Sequence, residues 1–198
     1  LRISARESLG ISASARVAVV MGGSLGSAVL NTATVHLVQS LRSTEHTCVI
    51  HIAGERFMDA VQLPVTMHHS NGALAYSRIA YSHDMVTLYS AADVVVCRAG
   101  ASTIAEVSTV GVCAVIVPWK DAAENHQLVN AKWLTDRGGA VLLEEDALTA
   151  HEFSQLVTEL LRDDDRRIAI AVRARELGEV HRKSSMAAVI ERVAKARS

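Results

Sequence analysis

Aromatic residues are scarce in this chain: two Trp, three Tyr and two Phe make up 4% of 198 residues. So few rings argue against a base-stacking platform. An excess of one charge is also missing. Twenty Lys and Arg stand against twenty-one Asp and Glu, for a net charge of −1. They are scattered along the chain, so the electrostatic footprint of a nucleic-acid binder is absent and no nucleic-acid partner is expected. The three cysteines, Cys48, Cys97 and Cys113, form no CxxC and leave one unpaired. Cys97 and Cys113 lie in apolar runs and read as reduced core thiols. The nine histidines show no HExxH or paired spacing, so no metal site is expected. His68-His69 reads as a solvated loop. No apolar run approaches the ~20 residues of a membrane span, and no signal-peptide pattern is visible. The chain starts at Leu1 rather than Met, which leads us to expect a fragment or a processed chain. Its apolar content of 49% is enough for one ordinary domain with a full core.

What is present is an alternation of short apolar runs and helical patterns. Strands are expected at Arg16–Met21, Thr47–Ile52, Leu74–Ala80, Val94–Cys97, Cys113–Val117 and Ala140–Leu143. Helices are expected at Leu25–Leu41, Glu55–Gln62, Met85–Ala92, His126–Arg137, Thr149–Leu161, Arg166–Leu177 and Ser184–Ala196, with a further one opening at Ser102-Thr103. Strands and helices that alternate at this length imply parallel pairing with right-handed crossovers. The fold class is therefore α/β, a doubly wound, Rossmann-like parallel sheet of six strands. Ligands of such sheets lie beyond the carboxyl ends of the strands, so the loops after the first, fourth and fifth strands are the candidates for function.

Two of those loops carry recognisable chemistry. After Val94–Cys97 the chain breaks at Arg98-Ala99-Gly100 and restarts as a helix holding Ser102 and Thr103 in its first turn, with Glu106 one turn on. The first N–H groups of a helix lack partners and its dipole favours negative charge, so this is an anion site. A carboxylate just behind it is placed to accept hydrogen bonds from a ribose diol. Together these features suggest a nucleotide diphosphate. Arg98 can pair with phosphate or with a neighbouring carboxylate.

After the first strand comes Gly22-Gly23-Ser24-Leu25-Gly26-Ser27. No Lys-Ser/Thr pair closes it into a Walker A loop, it is not GxGxxG, and no acidic residue ends the second strand. Its glycines let backbone approach phosphate oxygens, with the Ser24 hydroxyl as an added donor. It also matches G-x-S-x-G, the nucleophile elbow of α/β-hydrolases with Ser24 as nucleophile, although only about twenty residues precede it and no triad partners stand out. A plain structural turn is the third reading. His126 and Gln127, after Pro118, can bond sugar hydroxyls, but helix starts are often polar for capping alone. Trp119 and Trp133 read as packing residues.

Taken in order, Gly22–Gly26 with Leu30-Asn31, Tyr81-x-x-Asp84-Met85, Ala92-Asp93 through Arg98 to Glu106, and His126-Gln127 with Asn130-Ala131 resemble the C-terminal half of the MurG family. That family comprises the bacterial UDP-N-acetylglucosamine transferases of peptidoglycan synthesis. The resemblance covers nearly the whole chain. It implies one half of a GT-B fold, in which two Rossmann-like domains face a cleft and the C-terminal one binds the nucleotide sugar. Residues 1–180 would be the UDP-sugar-binding domain, and 181–198 a C-terminal helix returning toward the absent N-terminal domain.

By the same resemblance, Gly23, Ser24, Leu25 and Gly26, with Ser102 and Thr103, would face the diphosphate of UDP-GlcNAc. Glu106 would hold the ribose, backbone near Ser82 the uracil edge with Met85 lining the pocket, and His126 and Gln127 the GlcNAc hydroxyls. Ser27 stands where the family usually has Ala, Cys113 where it commonly has Pro, and His126 where Gln is also common. No catalytic residue is expected in this chain. The general base and the site for the lipid-linked acceptor would lie in the N-terminal domain, and the intact protein on the inner, cytoplasmic face of the plasma membrane. No cofactor is implied, since no Asp-x-Asp motif stands at these loops to hold Mg²⁺. Other organisations also fit: a separate soluble subunit of another UDP-GlcNAc transferase, or a non-catalytic UDP-sugar-binding module.

Overall fold

The computed structural model describes residues 1–41, 46–183 and 194. Its centre is a seven-stranded sheet formed by β1 (Arg16–Met21), β2 (Thr47–Ile52), β3 (Thr66–His68), β4 (Leu74–Ile79), β5 (Val94–Cys97), β6 (Cys113–Ile116) and β7 (Val141–Leu142). The order is β3-β4-β2-β1-β5-β6-β7, and every pair is parallel except β3 with β4. Without β3 this is the doubly wound order of two mononucleotide-binding halves. The direction of winding reverses between β1 and β5, and the strand ends there open the crevice such sheets use for ligands.

The helices are α1 (Arg2–Ser8), α2 (Ala28–Ser40), α3 (Met85–Ala91), α4 (Ala101–Val110), α5 (His126–Thr135), α6 (Ala150–Arg162), α7 (Asp164–Leu177) and α8 (Glu179–Lys183). Alternation along the central strands builds two apolar layers. Val17, Val19 and Met21 join Ile104, Val107 and Leu134 on one side, and Ala18 and Val20 join Leu30, Leu37, Phe153 and Val157 on the other. Burial on both faces explains why the strands read as near-continuous Val runs. Each fully buried Val contributes about 1.5–3 kcal/mol of transfer free energy.

Three differences from the sequence reading have local causes. The seventh strand is β3, an antiparallel edge strand joined to β4 by a tight turn in which Gly72, at φ 81°, donates to His69 O and Ala73 N donates to Asn71 Oδ1. The Asn71-Gly72 pair is the hairpin signal that marks it. His69 is consequently no free loop residue, since its Nε2 bonds the Thr47 carbonyl at 2.8 Å. The helix expected at Glu55–Gln62 shrinks to a 3₁₀ turn at Glu55–Phe57, because only Val61 and Leu63 of that segment and its border reach the core. Helix α1 has no counterpart in the sequence reading. It is fastened by Arg6, which donates to Ala91 O, Ala13 O and Asp93. The helix expected at Ser184–Ala196 lies outside the described residues. No helix among the described residues is long and apolar enough to cross a membrane. All three cysteines are buried free thiols.

Candidate functional site

The loops after β1, β5 and β6 meet at the switch point, and named side chains lock them together. Gly23–Gly26 is a tight turn closed by Gly26 N–H to Gly23 O at 3.0 Å. Gly22, Gly23 and Gly26 differ in what they require. A Cβ on Gly22 would stand 2.4 Å from Ser27 N, and one on Gly26 would stand 2.3 Å from Ala53 O. Packing forces those two. Gly23, at φ 83°, has nothing within 4 Å of its Cβ position, so the space above it is open. Ser24 and Leu25 are exposed at the tip.

The hydrolase reading of this turn is not supported by the geometry. An elbow nucleophile sits in strained backbone with a base beside it. Among the described residues only Glu124 and Asn125 are non-glycine residues with positive φ, and no hydrogen bond joins Ser24 to a His or an acid.

After β5, Gly100 is the N-cap of α4 and offers no side-chain cap, so the first N–H groups of α4 near Ser102 and Thr103 are left for another acceptor. By contrast, α2, α3, α6 and α7 are capped by Ser27, Asp84, Thr149 and Asp163. Glu106 is exposed one turn into α4, and its Oε2 accepts from the Tyr89 hydroxyl at 2.9 Å. Burial first, then Cys97 and Glu106, push the Tyr89 hydroxyl far above its usual range, so it stays a donor. Ser82 lies half-buried between β4 and α3, and Met85 opens α3 packed against the core.

Of the two partners open to Arg98, the carboxylate is present. Its guanidinium forms a fork with Glu145, with Nη1–Oε2 at 3.1 Å and Nη2–Oε1 at 3.0 Å. The same group donates to Ser27 Oγ at 2.7 Å and to the Val117 and Pro118 carbonyls at 3.3 Å. Arg98 thereby ties together the loops after β1, β5, β6 and β7. Burial raises the Glu145 pKa, but the Arg98 fork and the Lys120 N–H outweigh it and hold the carboxyl below its usual range.

Gln127 is also a tie. Its Oε1 accepts from Ala99 N and from Trp119 N, each at 3.1 Å, which turns its amide nitrogen away from both loops. One helical turn on, Asn130 Nδ2 donates to Ala99 O at 3.1 Å. Both ends of the Ala99 residue are thus held by α5. His126 is exposed at the start of α5 and bonds the Ala123 carbonyl through Nδ1 at 2.7 Å, leaving Nε2 as the acceptor. Trp119 is 48% exposed at this rim rather than packed, whereas Trp133 is half-buried against His181.

The structure brings Gly23–Gly26, Arg98, Ser102, Thr103, Glu106 and Gln127 to one rim. Sequence reasoning missed Ser27, Tyr89, Asn130 and Glu145 as its fasteners. Ser27 and Asn130 sit in motifs that could have flagged them, whereas Tyr89 and Glu145 do not. Among the described residues, no group of three or more His, Cys, Asp or Glu side chains is gathered as metal ligands would be.

Residues 17–190 match the family described as Glycosyltransferase family 28 C-terminal domain. A Burkholderia vietnamiensis protein named UDP-N-acetylglucosamine--N-acetylmuramyl-(pentapeptide) pyrophosphoryl-undecaprenol N-acetylglucosamine transferase is 36% identical over 178 residues, covering 89% of this chain and 47% of the relative. A protein of the same name from Desulforudis audaxviator is 35% identical over 196 residues, or 98% of this chain and 52% of the relative. The chain thus spans about half the length of the curated relatives it matches. The crystal structure of Acinetobacter baumannii MurG superposes with a TM-score of 0.68 at 33% identity, covering 82% of this chain and 47% of that one. The glycotransferase of kitacinnamycin, at 24% identity and a TM-score of 0.67, shares the fold. The chain belongs to the C-terminal domain family of glycosyltransferase family 28.

Proposed function

We propose that this chain is the donor-binding half of an inverting transferase that moves GlcNAc from UDP-GlcNAc to a lipid-linked MurNAc-pentapeptide in peptidoglycan synthesis. The observation that carries the reading is the pairing, at the switch point, of an uncapped α4 N-terminus with the open backbone at Gly23, with Glu106 one turn behind. It is supported by relatives named for that transfer.

In this reading the Gly23–Gly26 turn and the α4 N-terminus face the diphosphate. Glu106 accepts from the ribose hydroxyls, backbone near Ser82 reads the uracil edge beside Met85, and His126 with the Gln127 amide nitrogen holds the sugar. An acceptor hydroxyl oxygen forms the new bond to the anomeric carbon while the bond from that carbon to the UDP oxygen breaks. The electron pair leaves with UDP, and the hydroxyl proton goes to a base outside this chain. Charge grows on the diphosphate, where fixed N–H dipoles stabilise it without reorganising. Arg98 acts on this site through the loops it ties, since Glu145 occupies its fork. No cofactor is assigned. The partners are the N-terminal acceptor-binding domain and a lipid-linked acceptor, which put the intact protein at the cytoplasmic face of the plasma membrane.

Calorimetric titration with UDP-GlcNAc, UDP-glucose and UDP-GalNAc tests the reading. We expect one UDP-GlcNAc per chain, bound more tightly than the other two sugars. A folded chain that binds no uridine nucleotide overturns it.

A further inference from the structure

His51 lies in the middle of the sheet with no exposed surface, and the function proposed above gives it no part. A buried imidazole is costly unless both nitrogens are paired. Here both are. Nδ1 lies 3.0 Å from the Tyr76 hydroxyl and Nε2 2.9 Å from Asn31 Oδ1. Tyr76 is fully buried and Asn31 is 5% exposed.

The protons of this cluster can be assigned. Asn31 Nδ2 donates to the Ala53 carbonyl at 3.0 Å, so its Oδ1 is the atom that faces His51. A carbonyl oxygen only accepts, so His51 Nε2 carries the proton. Nδ1 is then an acceptor, and Tyr76 must donate to it. The donors run in one direction, from Tyr76 on β4 through His51 on β2 and Asn31 in the first turn of α2 to Ala53 O. Burial, and then the charge of Arg78, hold the imidazole pKa down to about 4, so the neutral ring persists at neutral pH.

The far end of the chain of bonds is the point of interest. Ala53 O is the atom that a Cβ on Gly26 would meet at 2.3 Å, and Gly54 abuts Gly26 from the same side. Asn31 N–H is bonded to Ser27 O at 2.9 Å, directly after the turn. The Ala53-Gly54 segment that abuts Gly26 is thus joined by Asn31 to the α2 start that directly follows the turn, and His51 orients the Asn31 side chain.

We infer that Asn31, His51 and Tyr76 form a positioning relay for the Gly23–Gly26 turn, setting where its backbone donors stand relative to the diphosphate. This rests on the nucleotide-sugar reading for its ligand. Apolar side chains of the same volume would fill this core equally well, and what the polar set adds is direction. A displacement of about 1 Å in a site of fixed donors is enough to weaken the recognition of a transition state or a ligand markedly.

The test uses the full 198-residue chain, with UDP as the probe and calorimetry at a temperature where every variant is folded. Long-range ¹H–¹⁵N spectra should show His51 as the Nε2–H tautomer. Tyr76→Phe, which keeps the ring and leaves Asn31 Oδ1 as the acceptor, should retain that tautomer, whereas Asn31→Leu should release it into a mixture. His51→Leu should weaken UDP binding by about tenfold, the size of one lost directed hydrogen bond. His51→Gln, which restores a donor toward Asn31, should recover most of that loss. A purely structural role would move the melting temperature of these variants and leave the affinity of the folded protein unchanged, and that result overturns the inference. So does an Nδ1–H tautomer in the parent chain, which can be read even if His51→Leu does not fold. Glu106→Ala is the control. If it weakens UDP binding while the His51 variants do not, only the relay falls. If the parent chain binds no UDP, the nucleotide reading falls and takes the relay with it.

Discussion

Tyr89 and Glu106 are joined by a 2.9 Å hydrogen bond that links the apolar interior to the exposed rim of the sheet. The phenol is 3% exposed and donates to Oε2, which restrains the exposed Glu106 carboxylate through one of its two oxygens. If Glu106 holds the ribose, Glu106→Ala should weaken UDP binding by about 1.5–3 kcal/mol, the range for hydrogen bonds to a charged group. Tyr89→Phe should cost less, since it removes the orientation and not the acceptor. Deoxyribose analogues of UDP should be indifferent to Glu106→Ala. Calorimetry on both variants checks this, and unchanged affinity in Glu106→Ala removes the residue from the site.

Arg98 and Glu145 are expected to matter first for the fold of the rim. Their side chains are 11% and 7% exposed, and removing one partner of such a pair strands a charge, at a cost of about 3–5 kcal/mol. Glu145→Ala should lower stability by about that much in urea denaturation at pH 7. Arg98→Lys should not rescue function, because one ammonium cannot fork to Glu145 and also reach Ser27 and two carbonyls. The acid response has a definite sign. The folded-state pKa of Glu145 lies below its ordinary 4.5, so the stability it contributes is present above that value and is lost as pH falls through the folded pKa. The stability gap between the parent chain and Glu145→Gln should therefore close on going from pH 7 into the acid range below 4.5. A gap independent of pH argues against the ion pair.

The glycines of the first loop separate packing from ligand binding. Gly26→Val drives a side chain into Ala53 O at a φ of 72°, and we expect it not to fold. The Cβ of Gly23→Val meets no protein atom within 4 Å, and the variant carries the strain of its positive φ, about 1–2 kcal/mol. It should keep its circular dichroism spectrum and lose UDP binding. Gly23→Val protein that binds UDP normally would show that phosphate does not approach this turn.

The parts of this molecule that were legible in the sequence are those with a period or a punctuation mark. Val17–Met21 and Val94–Cys97 are buried on both faces and therefore read as unbroken apolar runs. Gly22–Gly26 and Gly100 announced turns, and the uncapped α4 start followed from Gly100 lacking a side chain. Less visible was everything that depends on long-range pairing. Glu145 sits 47 positions from Arg98, in a run of acidic residues that reads as solvated surface. Asp93, at the foot of β5, accepts from Arg2, Arg6 and the Val17 N–H, and nothing local marks it as buried. The reading of Gln127 was incomplete for the same reason, because its carbonyl is spent on two loops that only the fold brings together.

The cysteines offer a check on the core. Burial pushes Cys48, Cys97 and Cys113 each up to about 12, so almost no thiolate exists at pH 8. Iodoacetamide should leave the native chain unmodified over hours and label all three thiols after unfolding in guanidinium. Rapid labelling of Cys97 in the native chain would mean that β5, and with it the Arg98–Gly100 loop, opens readily.

Turnover is the last expectation, and it follows from which groups the rim does and does not supply. Backbone donors at Gly23–Gly26 and at the α4 start are suited to the leaving diphosphate, and Glu106 to the ribose. None of these deprotonates an acceptor hydroxyl that approaches the anomeric carbon from the opposite side. His126 is a titratable group at the start of α5, but its Nδ1 is engaged with Ala123 O, and in the proposed site it faces the sugar hydroxyls rather than an incoming acceptor. The purified 198-residue chain should therefore bind UDP-GlcNAc and transfer nothing to a lipid-linked MurNAc-pentapeptide. Adding an N-terminal half from a relative in trans should restore transfer in proportion to the complex formed. His126→Ala should then weaken donor binding without abolishing the restored rate. Steady turnover by the chain alone, lost in His126→Ala, would place the base in this half and overturn the proposed division of labour.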